Sequence, residues 1–177
     1  IGNTKVIKEI MNVCNIDLKI NEVKSPNEGK YQFGTIDILS IDNIDVSSLK
    51  MGKIQAQAGK AAFEYIKVSV GLAMNKEVLA IATTPINKES LQAANIPFIG
   101  HTEMLEELTN SKEPLTMFEV ENLRIFFLTR HLSLKDAINQ IKKDGVYHFI
   151  KRCDEALQRL GIEERTIAVA GLNPHAG

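Results

Sequence analysis

Side chains of the types that carry chemistry follow three of the most apolar segments of this 177-residue chain. Lys88 follows the first segment, His131 the second and His175 the third. In open α/β sheets, ligands bind beyond the carboxyl ends of the strands, so these side chains would gather at one sheet edge. Two neutral imidazoles at such an edge suit a divalent transition metal such as zinc, which needs at least one further ligand.

Each of these signals also has a purely structural interpretation. A histidine at a strand end is usually a capping or solvated side chain, and Lys88 also fits an ordinary lysine in the first turn of a helix. Asn173-Pro174 fits a turn that redirects the chain. His101 fits a simple first helical residue, and His148 lies inside a predicted helix. The residues alone leave both interpretations open.

The elements that must position these side chains alternate between helix and strand patterns. This order predicts an α/β fold, a layered α/β/α domain with a mixed sheet. Residues 78–82 are almost continuously apolar, which indicates a strand covered on both faces. Two apolar runs around Glu121-Asn122 predict a hairpin. The predicted helices are 5–13, 54–74, 88–94, 102–108, 134–141 and 144–160, and the predicted strands are 16–23, 34–40, 77–83, 115–120, 123–129 and 166–170.

Composition narrows the classes of partner and the compartment. A net charge of −1 gives no reason to expect nucleic acid or an anionic membrane, and the apolar stretches are too short to span a bilayer. Cys14 and Cys153 lie far apart, which argues against a disulfide framework and for a reducing, cytoplasmic location. Gly52-Lys53 and Gly59-Lys60 lack the spacing of a phosphate loop, so Gly59 more simply lets a helix pack closely.

Four motifs follow one another along the chain: Thr84-Pro85-Ile86-Asn87-Lys88-Glu89, Ile96-Pro97-Phe98-Ile99-Gly100-His101-Thr102-Glu103, Thr129-Arg130-His131-Leu132-Ser133-Leu134 and the closing Gly171-Leu-Asn-Pro-His-Ala-Gly177. In type, order and spacing they resemble the 4-hydroxythreonine-4-phosphate dehydrogenase (PdxA) family. The resemblance covers essentially the whole chain. It implies a fold like that of isocitrate and isopropylmalate dehydrogenases.

The resemblance also implies an activity and its residues. The family oxidises 4-phosphooxy-L-threonine with NAD, and decarboxylation then gives 3-amino-2-oxopropyl phosphate for pyridoxine 5'-phosphate (vitamin B6) biosynthesis. His131 and His175 match two of three histidines that hold a divalent metal (Zn, Co or Mg). His101 and Thr102 match a substrate-contacting pair, and Lys88 falls in a motif near the site, where we expect a catalytic role. Family members are homodimers with the active site at the interface.

Residues 1–177 are expected to form one continuous fragment of a two-domain dehydrogenase, mainly its central metal-binding and dimerisation domain. The family's N-terminal Gly-Asp-Pro-Ala-Gly-Ile-Gly-Pro segment and its C-terminal part, with the third histidine and most NAD contacts, are not in this sequence, so the chain alone is expected to be inactive. Arg130 and Thr84 depart from the family pattern beside the site. The alternatives are a paralogous 4-phosphoerythronate or 4-phosphothreonate dehydrogenase and a non-catalytic metal-binding or dimerisation fragment.

Overall fold

The computed structural model describes residues 1–175, so Ala176 and Gly177 of the closing motif lie outside the described part. It divides into two compact units, Ile1–Glu113 and Pro114–Gly177. The first contains α1 (Thr4–Cys14), β1 (Lys19–Val23), β2 (Thr35–Leu39), α2 (Ala56–Met74), α3 (Lys88–Ala93) and α4 (His101–Thr109). The second contains β3 (Met117–Val120), β4 (Leu123–Phe126), α5 (Leu134–Gln140) and α6 (Lys143–Arg159). The fold is α/β, as predicted.

Local signals set the ends of the helices, and all six predicted helices are confirmed. Asn3 caps α1 by accepting hydrogen bonds from two first-turn amides, and Asn15 ends it in the left-handed conformation. Ser133 caps α5 by accepting from the Asp136 amide at 3.2 Å. Gly161, with φ of 75°, follows the last turn of α6. Each of these signals lies within a few residues of the helix end that it determines.

The strands form two separate two-stranded sheets among the described residues, where the sequence predicted one mixed sheet. β1 and β2 pair in parallel, from Lys19 opposite Thr35 to Val23 opposite Leu39. β3 and β4 form the predicted antiparallel hairpin, turning at Glu121, which has a φ of 54°. Parallel and antiparallel pairing therefore both occur, one in each unit.

Two predicted strands are wrong. Residues 77–83 and 166–170 have no strand structure, and Leu79 is 107% exposed instead of covered on both faces. A strand exists only through hydrogen bonds to a neighbouring strand, and neither segment finds one within residues 1–175. Both segments have the apolar composition of a strand, but neither has a neighbouring strand to pair with among the described residues.

The core of the first unit lies around α2. Ile66 and Val70 of this helix pack with Leu91 of α3 and Met104 of α4, and the last two side chains have no exposed surface. In the second unit, α6 buries Cys153 and Leu157. Among the helices of residues 1–175, none combines the length and apolar character of a membrane span.

Candidate functional site

Lys88 is the first residue of α3, and the residues before it determine where that helix starts. Pro85 disfavours helical structure at Thr84. The side-chain oxygen of Asn87 accepts a 2.7 Å hydrogen bond from the Ser90 amide, which satisfies a donor that the first turn would otherwise leave unpaired. The Lys88 side chain is exposed. Its backbone is therefore held at a defined helix end, and its ammonium group is accessible to a ligand.

A close contact with α2 holds α3 in place. The Ser90 hydroxyl accepts a 3.3 Å hydrogen bond from the Gln55 amide, just before α2 begins. A Cβ atom on Gly59 would lie 2.0 Å from the Ser90 carbonyl oxygen and 2.7 Å from the Leu91 nitrogen. Only glycine permits this approach of helix to backbone, which confirms that Gly59 serves helix packing.

His101 and Thr102 are the first two residues of α4, and both are half-buried. Gly100 precedes them in an extended conformation and offers no side-chain cap. Just upstream, Phe98 stacks on Phe63 of α2 with ring centroids 5.7 Å apart. Gly100 thus leaves the first-turn amides of α4 without a side-chain cap, at the positive end of the helix dipole.

Both α3 and α4 pack against the same helix, α2. Leu91 and Met104, one from each helix, are fully buried in the cluster that contains Ile66 and Val70 of α2. Two motifs that are separate in sequence are thus anchored on a single helix of the first unit. A change in the packing of α2 would move both helix starts.

His131 adopts an unusual backbone conformation in the second unit. Its φ is 54°, in the left-handed region, which few non-glycine residues enter and in which Asn, Asp and His are enriched. It lies between β4 and the Ser133 cap of α5, and its side chain is exposed. Such a conformation costs free energy, and Tyr31, Lys76 and Glu121 of this chain share it.

His175 is also exposed, in the irregular segment after α6. Arg165 clamps the beginning of that segment. Its Nε donates to Asp154 of α6 at 2.7 Å, and its Nη1 donates to the Ile162 carbonyl oxygen at 2.8 Å. One arginine therefore holds the turn that follows α6.

Within residues 1–175, no group of three or more His, Cys, Asp or Glu side chains could hold a metal ion. The donor chemistry of His131 and His175 nevertheless fits a transition metal, because both are accessible imidazoles in the same unit. Two imidazoles make an incomplete set, and a tetrahedral site with an open position needs a third protein ligand.

The comparison with protein families identifies the chain. The model of the family described as pyridoxal phosphate biosynthetic protein PdxA matches residues 1–177. The chain belongs to the PdxA family. Relatives in Halalkalibacterium halodurans and Clostridium botulinum, each provisionally named D-threonate 4-phosphate dehydrogenase, are 56% identical over 177 residues, and one in Fusobacterium nucleatum with the same name is 53% identical. The chain covers 53% of each of these proteins, so it spans about half their length.

Solved structures agree with this membership of the PdxA family. A 4-hydroxythreonine-4-phosphate dehydrogenase from Klebsiella pneumoniae superposes with a TM-score of 0.92 at 33% identity, and 99% of this chain covers 54% of that one. An enzyme of the same name from Burkholderia phymatum gives 0.90 at 38% identity, with 99% and 53% covered. The expected family fold is therefore confirmed over the described residues.

Several residues that hold the candidate residues of the PdxA chain within their own units carry little signal in the sequence. Asn87 belongs to the first motif, and because an Asn just before a helix is a known cap signal, its capping role was predictable from the sequence. Gln55 and Ser90 carried no signal, because their hydrogen bond joins residues 35 positions apart. Arg165 also passed unnoticed, since a lone charge after a helix most often lies on a solvated surface.

Proposed function

We propose that a protein of the relatives' length carrying this chain is an NAD- and metal-dependent dehydrogenase of 4-phosphorylated four-carbon hydroxy acids, and that D-threonate 4-phosphate is its substrate. The observation that carries this choice is the 56% identity to relatives named for that substrate, against 33% and 38% for the 4-hydroxythreonine-4-phosphate enzymes of solved structure. The chain is then mainly the central metal-binding and dimerisation part of a two-domain enzyme.

His131 and His175 would hold the divalent metal, with a third ligand from outside this chain. When bound, a divalent metal (Zn, Co or Mg) would supply Lewis-acid polarisation of the hydroxyl group on the carbon that passes hydride to NAD. The exposure of His131 supports this role, because a metal ion can reach the nitrogens of its imidazole. None of the NAD contacts is assigned to this chain.

His101 and Thr102 would position the substrate. They begin α4, where uncapped amides and the helix dipole favour an anionic group such as a phosphate or carboxylate. The Thr102 hydroxyl and the His101 imidazole can donate hydrogen bonds that fix the orientation of the reacting carbon. Both side chains are half-buried, so a bound ligand would displace little ordered protein.

Lys88 would act as the cationic residue of the reaction. Lys88 begins α3, and its exposed Nζ ammonium can donate a hydrogen bond to the substrate oxygen on which negative charge develops. The capping of α3 by Asn87 and its contact with Gly59 support this role, because they hold the backbone of Lys88 in one place.

A second candidate substrate is 4-phosphooxy-L-threonine, in the vitamin B6 pathway. The description of the matching family and the names of the solved structures favour it. The two substrates differ at carbon 2, which bears an amino group in one and a hydroxyl group in the other. Arg130 precedes His131 in sequence and Thr84 lies in the motif of Lys88, so both are candidates for this discrimination.

A homodimer is the assembly that we propose for the enzyme. The hairpin of β3 and β4 supports it, because one face of the hairpin is entirely apolar and exposed while the other carries the Glu119–Arg124 ion pair at 2.9 Å. An apolar face left in water is typical of a surface that a partner covers. The exposed apolar side chains are Phe118, Val120, Leu123 and Ile125.

The test is NADH formation by a protein of the relatives' full length that contains this chain. D-threonate 4-phosphate, 4-phosphoerythronate and 4-phosphooxy-L-threonine are supplied side by side, with and without a chelator. Chelator-sensitive turnover of D-threonate 4-phosphate supports the proposal, whereas turnover of the threonine derivative alone moves the enzyme to the B6 pathway. Binding of metal without turnover of any substrate would favour the non-catalytic alternative.

Variants separate the metal site from general damage. His131→Ala is expected to abolish chelator-sensitive activity and to lower zinc content, while leaving the circular dichroism spectrum unchanged. His148→Ala is the matched control, because it removes an exposed imidazole from the middle of α6 in the same unit. Full activity in metal-free His131→Ala protein would exclude the metal assignment.

A further inference from the structure

The loop before α2 folds back onto the start of that helix. The side chain of Gln55 holds it there, because its Oε1 accepts from the Lys50 amide at 2.7 Å and its Nε2 donates to the Ser48 carbonyl oxygen at 3.1 Å. Within the loop, the Lys53 amide donates to the Lys50 carbonyl oxygen at 3.3 Å, and Gly52 between them has a φ of 72°, which glycine adopts without strain. The backbone from which Lys50 and Lys53 extend is therefore held against α2.

Lys88 lies at the same end of α2 as this loop. The Gln55 amide donates to the hydroxyl of Ser90, two positions after Lys88, at 3.3 Å. The Ser90 carbonyl meets α2 one turn further on, at Gly59, where a Cβ atom would lie 2.0 Å from the carbonyl oxygen. Carbonyl groups of an α-helix point toward its C-terminus, so α3 advances in the same direction as α2, and both helices start at one end of their contact.

Three lysines gather at this end of the contact without acidic partners. Lys50, Lys53 and Lys88 are exposed, and none of them forms an ion pair with another described residue. Residues 46–63 and 78–88, which carry them, contain no Asp or Glu, although the chain has 22 acidic residues. Like charges at one place repel each other, and an anion that binds between them relieves that repulsion.

A phosphate group fits these lysines better than a carboxylate does. Lysine ammonium groups bind phosphate as point charges, and each of them has three donors. A phosphomonoester bears about −1.5 to −2 charges at pH 7 and offers three acceptor oxygens, whereas a carboxylate offers a single charge and two oxygens. Glu89, the nearest acid along the chain, is exposed and supplies one negative charge against three positive ones, so this surface remains positive.

We propose that Lys50, Lys53 and Lys88 bind a phosphate group, which belongs either to the phosphorylated substrate or to the pyrophosphate of the dinucleotide. Gln55 gathers them, since its side chain holds the loop and its backbone amide holds α3. This inference rests on the proposed function and extends it to the recognition of phosphate. In a 3-hydroxy acid that is oxidised before decarboxylation, the reacting carbon neighbours carbon 4, which carries the phosphate, so Lys88 can serve both groups.

Binding of phosphate ions to a protein of the relatives' full length that contains this chain tests the site without any turnover. Inorganic phosphate and pyrophosphate are each titrated into the protein in an isothermal calorimeter. Lys53→Gln should weaken the affinity about tenfold, the effect of losing one hydrogen bond to a charged group, whereas Lys53→Arg should keep most of it. Lys60→Gln is the matched control, because Lys60 is an exposed lysine of α2 that pairs with Glu64 at 3.9 Å. Equal affinities of Lys53→Gln and Lys60→Gln for both ions would overturn the proposal.

Steady-state kinetics of the same variants decide which molecule brings the phosphate. If Lys53→Gln raises KM for the phosphorylated substrate about tenfold and leaves KM for NAD unchanged, the site belongs to the substrate. A rise in KM for NAD alone assigns the site to the dinucleotide. Unchanged values of both KM in an active enzyme would overturn the proposal. If no substrate is turned over, the proposed function fails, while the calorimetric comparison still decides whether these lysines bind phosphate.

Discussion

Replacing Gly59 with alanine should destabilise the first unit, although alanine is the better helix former. The new Cβ would lie 2.0 Å from the Ser90 carbonyl oxygen and 2.3 Å from its carbonyl carbon, and backbone atoms cannot rotate away. Overpacking of this kind costs up to about 3 kcal/mol. Alanine regains about 1 kcal/mol through helix propensity. The net loss is about 2 kcal/mol, or a decrease in melting temperature of roughly 4–8 °C for a chain of this size.

Gly71→Ala provides the matched control on the same helix. A Cβ atom there meets nothing within 4 Å, so only the propensity gain remains and the melting temperature should rise slightly. Thermal unfolding of both variants, followed by far-ultraviolet circular dichroism, gives the comparison. If Gly59→Ala were as stable as Gly71→Ala, the close approach of α2 and α3 would not exist in solution.

Three further predictions concern single side chains. Asn87→Ala should cost about 1 kcal/mol in urea unfolding by removing the cap on the Ser90 amide, while Asn87→Asp should retain most of that stability. Burial, helped by the charge of Glu64, raises the pKa of Tyr65 from 10.0 to about 12, so its phenol should titrate near that value by absorbance at about 295 nm. The pKa of Tyr65 is higher in the folded than in the unfolded state, so the stabilisation by its neutral phenol is complete below pH 10 and is lost toward pH 12. Tyr65→Phe should remove this pH dependence of stability. His131→Gly should abolish zinc binding. The variant protein should nevertheless unfold at the same or a higher temperature, because glycine accepts the φ of 54° without strain. A marked drop in its melting temperature would contradict a strained backbone at His131.

Features that depend on neighbouring residues could be predicted from the sequence. The helix of residues 134–140 begins where the Ser133 side chain accepts a hydrogen bond from the Asp136 amide, and the hairpin turns at Glu121-Asn122 between two apolar runs. Such contacts join residues only a few positions apart, so short-range patterns contain their physical cause. The motifs around Lys88, His101, His131 and His175 likewise sufficed to recognise the family, which the match over residues 1–177 confirms.

Features that depend on distant residues were decided by tertiary structure. The apolar pattern of residues 78–82 could not become a strand without a partner, and no periodicity reveals whether that partner is present. The contact of Gly59 with Ser90 joins two helices 31 positions apart in sequence (90 − 59), and only packing could show that it fixes the start of α3. The sequence by itself thus determined the helices, the hairpin and the family. Tertiary structure alone decided which segments pair and what supports each site residue, because those interactions depend on long-range partners that local patterns do not specify.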